Sequence, residues 1–273
     1  MKRRLLAGLL SLVMMLSLLP TALAAEEGSP LQVLMIGNSH TVDMTEWTGL
    51  VLKDSGLEDQ VNITMLAPMG GRKLFTDDTA RSSHITAATW TGTEDEWNAT
   101  HQDSGRDVGS KKSQYDKLLN NSDRTWDLIV VQDWEESTMN SDSAAVAKGI
   151  QSAVQWLRSC SSVTENTKIA WAADWPDAAN HAGAQGNMIG AIAAVNALTE
   201  DGVDFIIPTG LTVENARTSY FDKVNNADDS YLLGSEETYG GITNVAKYHL
   251  MERDANHLSY ELGCYAVAAV TIA

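Results

Sequence analysis

The sequence predicts one α/β domain, a flavodoxin-like three-layer α/β/α arrangement with a five-stranded parallel sheet. Five short runs rich in aliphatic and β-branched residues have the length and composition of buried parallel strands. These runs are Leu31 to Ile36, Val61 to Leu66, Asp127 to Val131, Lys168 to Ala172 and Val203 to Ile207. Segments with helical periodicity separate them. This alternation implies right-handed crossovers and a sheet that is covered by helices on both faces.

Four segments carry the helical periodicity, with apolar residues recurring every three to four positions. They are Asp43 to Lys53, Ser143 to Leu157, Asn187 to Leu198, and a final helix from Ser259 onward. The last helix runs to Ala273, so we expect it either to be short or to continue in a longer protein.

The stretch from Thr76 to Lys112 does not follow this alternation. It is polar, and it contains Trp90 and Trp97. A long irregular insertion in a compact domain is usually functional or disordered. We expect this insertion to lie near the active site, where its tryptophans form a lid or a wall. Plain surface packing is the equal alternative.

The first 24 residues have the three parts of an export signal. Lys2 to Arg4 are basic, Leu5 to Leu19 is an apolar run, and Ala22 to Ala24 is a small-residue cleavage site. The apolar run is shorter than the roughly 20 residues that a membrane span needs, which favours cleavage over anchoring. We therefore expect residues 25–273 to form a secreted protein without membrane association, either extracellular or retained in the cell envelope.

The net charge and the cysteine count indicate which partners and cofactors to expect. The formal net charge is −17, which repels nucleic acid and anionic lipid and makes both poor partners. Cys160 and Cys264 are the two cysteines; either one disulfide or two buried thiols fits this count. No Cys/His spacing suggests a zinc site, and we predict no cofactor.

The first motif that could take part in catalysis is Gly37-Asn38-Ser39, directly after the first predicted strand. Parallel α/β sheets bind their ligands at the carboxyl ends of the strands. A serine there, at the start of a helix, has free backbone N–H groups nearby that can stabilise an oxyanion. The alternative is an ordinary loop in which Ser39 caps the helix.

The second motif is Asp254-Ala255-Asn256-His257, just before the final predicted helix. An Asp three residues before a His can bring its carboxylate to the imidazole within one local turn. The carboxylate then fixes the tautomer, and the other ring nitrogen faces a nucleophile. A capping loop with a surface histidine is the alternative. Because strand carboxyl ends share one edge of the sheet, Ser39 and His257 can meet there.

Two further segments suit an oxyanion hole. Gly70 and Gly71 follow the second strand, where a glycine brings a backbone N–H close to a substrate oxygen. Gln132 ends the third predicted strand, and its side-chain amide can donate a hydrogen bond. Each of these signals is weak when taken alone.

In this order, the motifs resemble the SGNH/GDSL hydrolase superfamily, and in particular a bacterial branch whose first block reads Gly-Asn-Ser rather than Gly-Asp-Ser. The resemblance extends over nearly the whole mature chain. Further matching segments are Ala170 to Ala172, Ile207 to Gly210, Asn215 to Arg217, His257 to Ser259 and Gly263 to Ala266.

The resemblance implies a serine esterase in which Ser39 is the nucleophile, His257 the general base and acid, and Asp254 its orienting partner. It also implies oxyanion donors in the N–H of Ser39, the N–H of Gly71 (or Gly70) and the amide of Gln132, where the wider superfamily has Asn. His40 follows the nucleophile either as a bystander or as part of the acyl pocket.

The expected substrate is a small-molecule or glycan ester, with an O-acetyl group on a carbohydrate as the first choice by analogy. Two other functions stay open. One is a carbohydrate-binding module on an inactive hydrolase fold, because a fold does not fix its function. The other is an acyltransferase that uses the same three residues.

Overall fold

The computed structural model describes residues 29–45, 47–68, 85–90, 118–121, 123–132, 142–175, 184–216, 258 and 262–273. The predicted export signal, Gly70, Gly71, Trp97, Asp254 and His257 lie outside these described residues. The nucleophile candidate Ser39 and the amide candidate Gln132 lie within them.

The described strands form one six-stranded sheet in the order β3-β2-β1-β4-β5-β6. The strands are β1 Leu31–Ile36, β2 Val61–Pro68, β3 Ile85–Trp90, β4 Leu128–Gln132, β5 Lys168–Ala172 and β6 Phe205–Ile207. All neighbouring pairs are parallel except β2 with β3. The predicted five-stranded parallel sheet is therefore confirmed, with one additional antiparallel strand at its edge.

Six helices are described around this sheet. They are α1 Ser39–Thr45, α2 Thr48–Asp54, α3 Ser143–Arg158, α4 Ala184–Asn196, α5 Thr209–Ala216 and α6 Leu262–Ile272. The prediction of one helix from Asp43 to Lys53 is wrong, because α1 and α2 are separate. Between them, the hydroxyls of Thr45 and Thr48 donate to the carbonyls of Thr41 and Met44, and such bonds compete with regular helix geometry.

The helices cover both faces of the sheet, as the alternation along β1 requires. Leu34 and Ile36 pack in a core cluster with residues of α3 and α4. Val33 and Met35 point to the other face and pack in a second cluster with residues of α1, α2, α5 and α6. The three-layer α/β/α architecture is thus confirmed.

The order in which strands are added to the sheet changes direction between β1 and β4. From β1 the chain moves to β2 on one side, and it later returns to β4, β5 and β6 on the other side. The five parallel strands thus have the flavodoxin-like order, in which ligands bind outside the strand ends at this switch point. Ser39 follows β1 and Gln132 ends β4, so the two residues flank it.

Part of the predicted insertion is regular structure. β3 pairs with β2 so that Ile85 lies beside Pro68 and Trp90 lies beside Ile63. At about 3.3 Å per residue, the backbone of Trp90 is about 10 Å along the strand from the level of Leu66. β3 therefore begins at the end of the strands that carries Ser39, and the backbone of Trp90 lies toward the other end of the strands.

The cysteines lie on opposite faces of the sheet. Cys160 belongs to the cluster under α3 and α4, and Cys264 belongs to the cluster under α6. Both are buried thiols that are not joined in a disulfide, which decides between the two alternatives that the sequence left open. Among the described helices, none has the length and apolar character required to cross a bilayer.

Candidate active site

The Ser39 turn, defined here as residues 37–41, joins β1 to α1. Asn38 takes the capping position of α1, since its Oδ1 accepts the backbone N–H of His40 at 2.8 Å. Ser39 itself is therefore not the cap, contrary to the alternative derived from sequence. From Val33 to Thr41 every residue is buried except Ser39. This turn thus presents one side chain, that of Ser39, to the outside of the sheet edge.

Gln132 holds this turn from β4. Its Oε1 accepts the hydroxyl of Thr41 at 2.9 Å and the backbone N–H of Asn38 at 3.3 Å. The side chain is buried, and these two bonds use only the carbonyl end of the amide. Gln132 therefore fixes the residues on both sides of Ser39, a role that the sequence did not suggest. Its donor end is the group on which the predicted oxyanion role depends.

Gly37 allows the close approach between the turn and Gln132. Its N–H donates to the carbonyl of Leu66 at the end of β2 at 3.1 Å. A Cβ at this position would lie 1.8 Å from Oγ1 of Thr41 and 2.6 Å from Oε1 of Gln132. Only glycine fits here without moving these two groups, which explains the glycine of the motif in steric terms.

His40 is neither a bystander nor part of an open acyl pocket. Its side chain is 1% exposed, and its Nδ1 lies 2.9 Å from Oδ1 of Asp174 and 3.0 Å from Oδ2. The imidazole also stacks on Trp175, with ring centroids 4.4 Å apart and planes inclined by 10°. His40 thus ties the Ser39 turn to the segment that follows β5.

The segment after β5 is itself held by the start of α5. The backbone N–H of Gly210 and the hydroxyl of Thr209 both donate to the carbonyl of Ala173. A Cβ on Gly210 would lie 1.9 Å from the carbonyl oxygen of Asp174, so the backbones approach more closely than an alanine would allow. Asp174 is fully buried and also accepts the N–H of Trp175. The partner of His40 is therefore rigidly placed.

Asp43 lies on α1, one turn after Ser39, and connects this helix to Leu258. Its buried carboxylate accepts the backbone N–H of Leu258 at 2.8 Å, across 215 residues of sequence. Leu258 directly follows His257 in the chain. The helix that begins with Ser39 is thus bonded to the segment that carries the predicted base.

Sequence reasoning identified Ser39 and Gln132 at this edge and missed Asp43, Asp174 and Trp175. Asp174 follows a strand just as Gln132 ends one, so the same argument from strand ends applied to it. Asp43 was interpreted only as the start of an amphipathic helix. Among the described residues, no group of three or more His, Cys, Asp and Glu side chains is arranged to hold a metal ion.

Three solved structures are similar to this chain. A DUF4886 family protein from Bacteroides uniformis has a TM-score of 0.55 at 20% identity, over 89% of this chain and 81% of that one. A carbohydrate esterase family 3 protein from Talaromyces cellulolyticus has a TM-score of 0.43 at 11% identity, over 88% and 94% of the two chains. The lipase Lip_vut3 from a goat rumen metagenome has a TM-score of 0.36 at 10% identity, over 70% and 86%.

The first of these similarities shows a shared fold. The other two are too distant to carry an argument about activity. No protein-family model matches the chain, and no curated protein matches it. Any assignment of function therefore depends on the residues of this chain.

Proposed function

We propose that this protein is a secreted serine esterase of the SGNH type, with Ser39 as nucleophile, His257 as general base and acid, and Asp254 as the partner that orients His257. The proposed substrate is an ester with a short acyl group, with an O-acetyl group on a carbohydrate as the first choice. No cofactor enters the proposed reaction.

The observation that carries this proposal is the exposure of Ser39 in an otherwise buried turn at the switch point of the sheet. A capping serine would use its hydroxyl on the helix, but Asn38 has that role here. The side-chain nitrogen of Asn38 is buried and has no acceptor among the described residues. A partly exposed hydroxyl that is not used as a helix cap is available to act on a substrate.

A second observation supports His257 as the base. The N–H of Leu258 is bonded to Asp43, and residues four apart on a helix lie on the same face, with Cβ atoms about 5–6 Å apart. Consecutive Cα atoms are about 3.8 Å apart, so a fixed Leu258 limits how far the preceding residue can be from α1. This arrangement favours His257 over His40, whose imidazole is only 1% exposed and is stacked on Trp175.

The proposed reaction has two steps. In the first, His257 accepts the proton of the Ser39 hydroxyl while the oxygen bonds to the ester carbonyl carbon. The oxyanion accepts hydrogen bonds from the N–H of Ser39, the N–H of Gly71 (or Gly70) and the amide of Gln132. The imidazolium then protonates the leaving alcohol. In the second step, water attacks the acyl-serine with His257 again as base, which releases the acid and restores Ser39.

The decisive experiment compares the wild-type protein with the Ser39→Ala variant on p-nitrophenyl acetate and with a fluorophosphonate probe. We expect hydrolysis by the wild type, a loss of several orders of magnitude in the variant, and one probe adduct located on Ser39. Ser152→Ala is the matched control, because Ser152 lies on α3 and its hydroxyl donates to the carbonyl of Lys148 within that helix. This control variant should keep wild-type activity.

Equal inactivity of the wild type and Ser39→Ala, without labelling by the probe, would contradict the esterase proposal. Binding of a glycan by such an inactive protein would favour the carbohydrate-binding module instead. If the wild type is active, product analysis with acetylated xylan, with and without an added sugar acceptor, separates hydrolysis from acyl transfer. Export is tested by expression with the full leader, where we expect a mature amino terminus near Ala25.

A further inference from the structure

The buried carboxylate of Asp43 has no part in the proposed chemistry, yet it lies one helical turn from Ser39. Asp43 is 1% exposed, although acidic side chains are rarely buried unless they are paired. A carboxylate that has lost its water requires hydrogen bonds from the protein. Its position therefore calls for an explanation beyond helix stability.

Asp43 is one of the residues that hold Leu258 in place. The N–H of Leu258 donates to Oδ2 of Asp43 at 2.8 Å, and its carbonyl accepts the thiol of Cys264 at 3.8 Å. Its side chain is fully buried in the cluster that includes Met44 of α1 and Val267 of α6. The bond to Asp43 and the packing around the side chain thus contribute to the position of Leu258 relative to α1.

We propose that Asp43 is a positioning residue that sets the distance between Ser39 and His257. This inference depends on the proposed function, because it assigns Asp43 to the alignment of that nucleophile with that base. The link is short: α1 carries Ser39 and Asp43 one turn apart, and Leu258 is the residue after His257. A shift of about 1 Å between reacting groups can lower a rate by about 10²-fold.

The test compares Asp43→Ala, which removes the acceptor, with Asp43→Asn, which keeps an oxygen for the N–H of Leu258. On p-nitrophenyl acetate we expect Asp43→Ala to lower kcat by about 10²-fold with little change in KM, and Asp43→Asn to recover most of that loss. Thr45→Val is the matched control. Thr45 is a fully buried polar residue on the same helix, and its hydroxyl bonds to carbonyls of α1 and to Met65.

Three outcomes would overturn the inference: wild-type kcat in Asp43→Ala, no recovery in Asp43→Asn, or an equal loss in Thr45→Val. Amide hydrogen exchange separates this failure from failure of the proposed function. In Asp43→Ala, the peptide that contains Leu258 should exchange faster while peptides from β1 and β4 stay protected. If the wild type is inactive and Asp43→Ala shows this exchange pattern, the esterase proposal is wrong, but Asp43 still fixes Leu258. If exchange at Leu258 is unchanged in Asp43→Ala, the positioning role of Asp43 is wrong.

Discussion

Nδ1 of His40 lies within 3.0 Å of both carboxylate oxygens of Asp174, and neither side chain is more than 1% exposed. The two residues are 134 positions apart in sequence. They meet because the turn after β1 and the segment after β5 share one edge of the sheet. Trp175 covers the imidazole, so water has little access to the pair.

We predict that His40 and Asp174 are strongly coupled in stability. Removal of one partner from a buried pair leaves the other without compensation and typically costs about 3–5 kcal/mol. His40→Phe should therefore lower the free energy of unfolding by about 3 kcal/mol, although the ring can still stack on Trp175. Asp174→Asn should cost less in the His40→Phe variant than in the wild type, with a coupling energy of about 1–3 kcal/mol. Urea unfolding of the wild type, both single variants and the double variant measures this cycle.

An exposed contact provides the comparison for this cycle. Nε2 of Gln155 donates to Oδ2 of Asp201 at 2.8 Å on the surface. Gln155→Ala should change the free energy of unfolding by less than about 0.5 kcal/mol. If the effects of His40→Phe and Asp174→Asn on the free energy of unfolding add to within about 0.5 kcal/mol, the two side chains do not stabilise the protein as a pair.

Gln132 should separate positioning from oxyanion stabilisation. Gln132→Glu keeps an oxygen for Thr41 and Asn38 but loses the amide donor, whereas Gln132→Ala loses both. Loss of one oxyanion donor typically lowers kcat by about 10²–10³-fold. We expect a loss of at least this size in Gln132→Glu, together with a lower thermal midpoint, because the new carboxylate is buried. Gln132→Ala should also lower both kcat and the midpoint, because it removes the acceptor of Thr41 and Asn38. Undiminished kcat in Gln132→Ala would refute a catalytic role for this side chain.

Gly37 is expected to tolerate no side chain. A methyl group there would overlap Oγ1 of Thr41 and Oε1 of Gln132, and overpacking of this kind costs about 1–3 kcal/mol. Gly37→Ala should lower the thermal midpoint, and it should lower esterase activity more than Gly186→Ala does. Gly186 is an exposed residue of α4 with nothing within 4 Å of a Cβ, so alanine there should be neutral or stabilising by up to about 1 kcal/mol. A Gly37→Ala protein with full stability and activity would show that the turn can widen.

The sheet was predictable from sequence because its strands are buried on both faces and therefore appear as continuous apolar runs. β3 was not predictable in this way, since Ile85 to Trp90 is a short edge strand within a polar stretch. The boundary between α1 and α2 was missed because the apolar pattern of the sequence does not mark it.

Some residues of the candidate site were likewise predictable from sequence and others were not. Ser39 and Gln132 were predictable because each residue lies at the end of a recognisable strand. The bond between Asp43 and Leu258 and the pair of His40 and Asp174 join residues that are 215 and 134 positions apart. Such contacts depend on which strands and helices are neighbours, and one sequence gives the strands without their order. The two alternatives for the cysteines stayed open for the same reason.

The cysteines yield a prediction that is independent of activity. Cys160 and Cys264 are buried thiols in clusters on opposite faces of the sheet, so no disulfide can join them without unfolding. A thiol-reactive aromatic disulfide should label neither cysteine in the native protein and both after unfolding in guanidinium chloride. A reducing agent should leave the thermal midpoint unchanged, because no bridge contributes to stability. A native mass lower by two hydrogens than that of the reduced chain, or a midpoint that falls on reduction, would contradict this arrangement of the core.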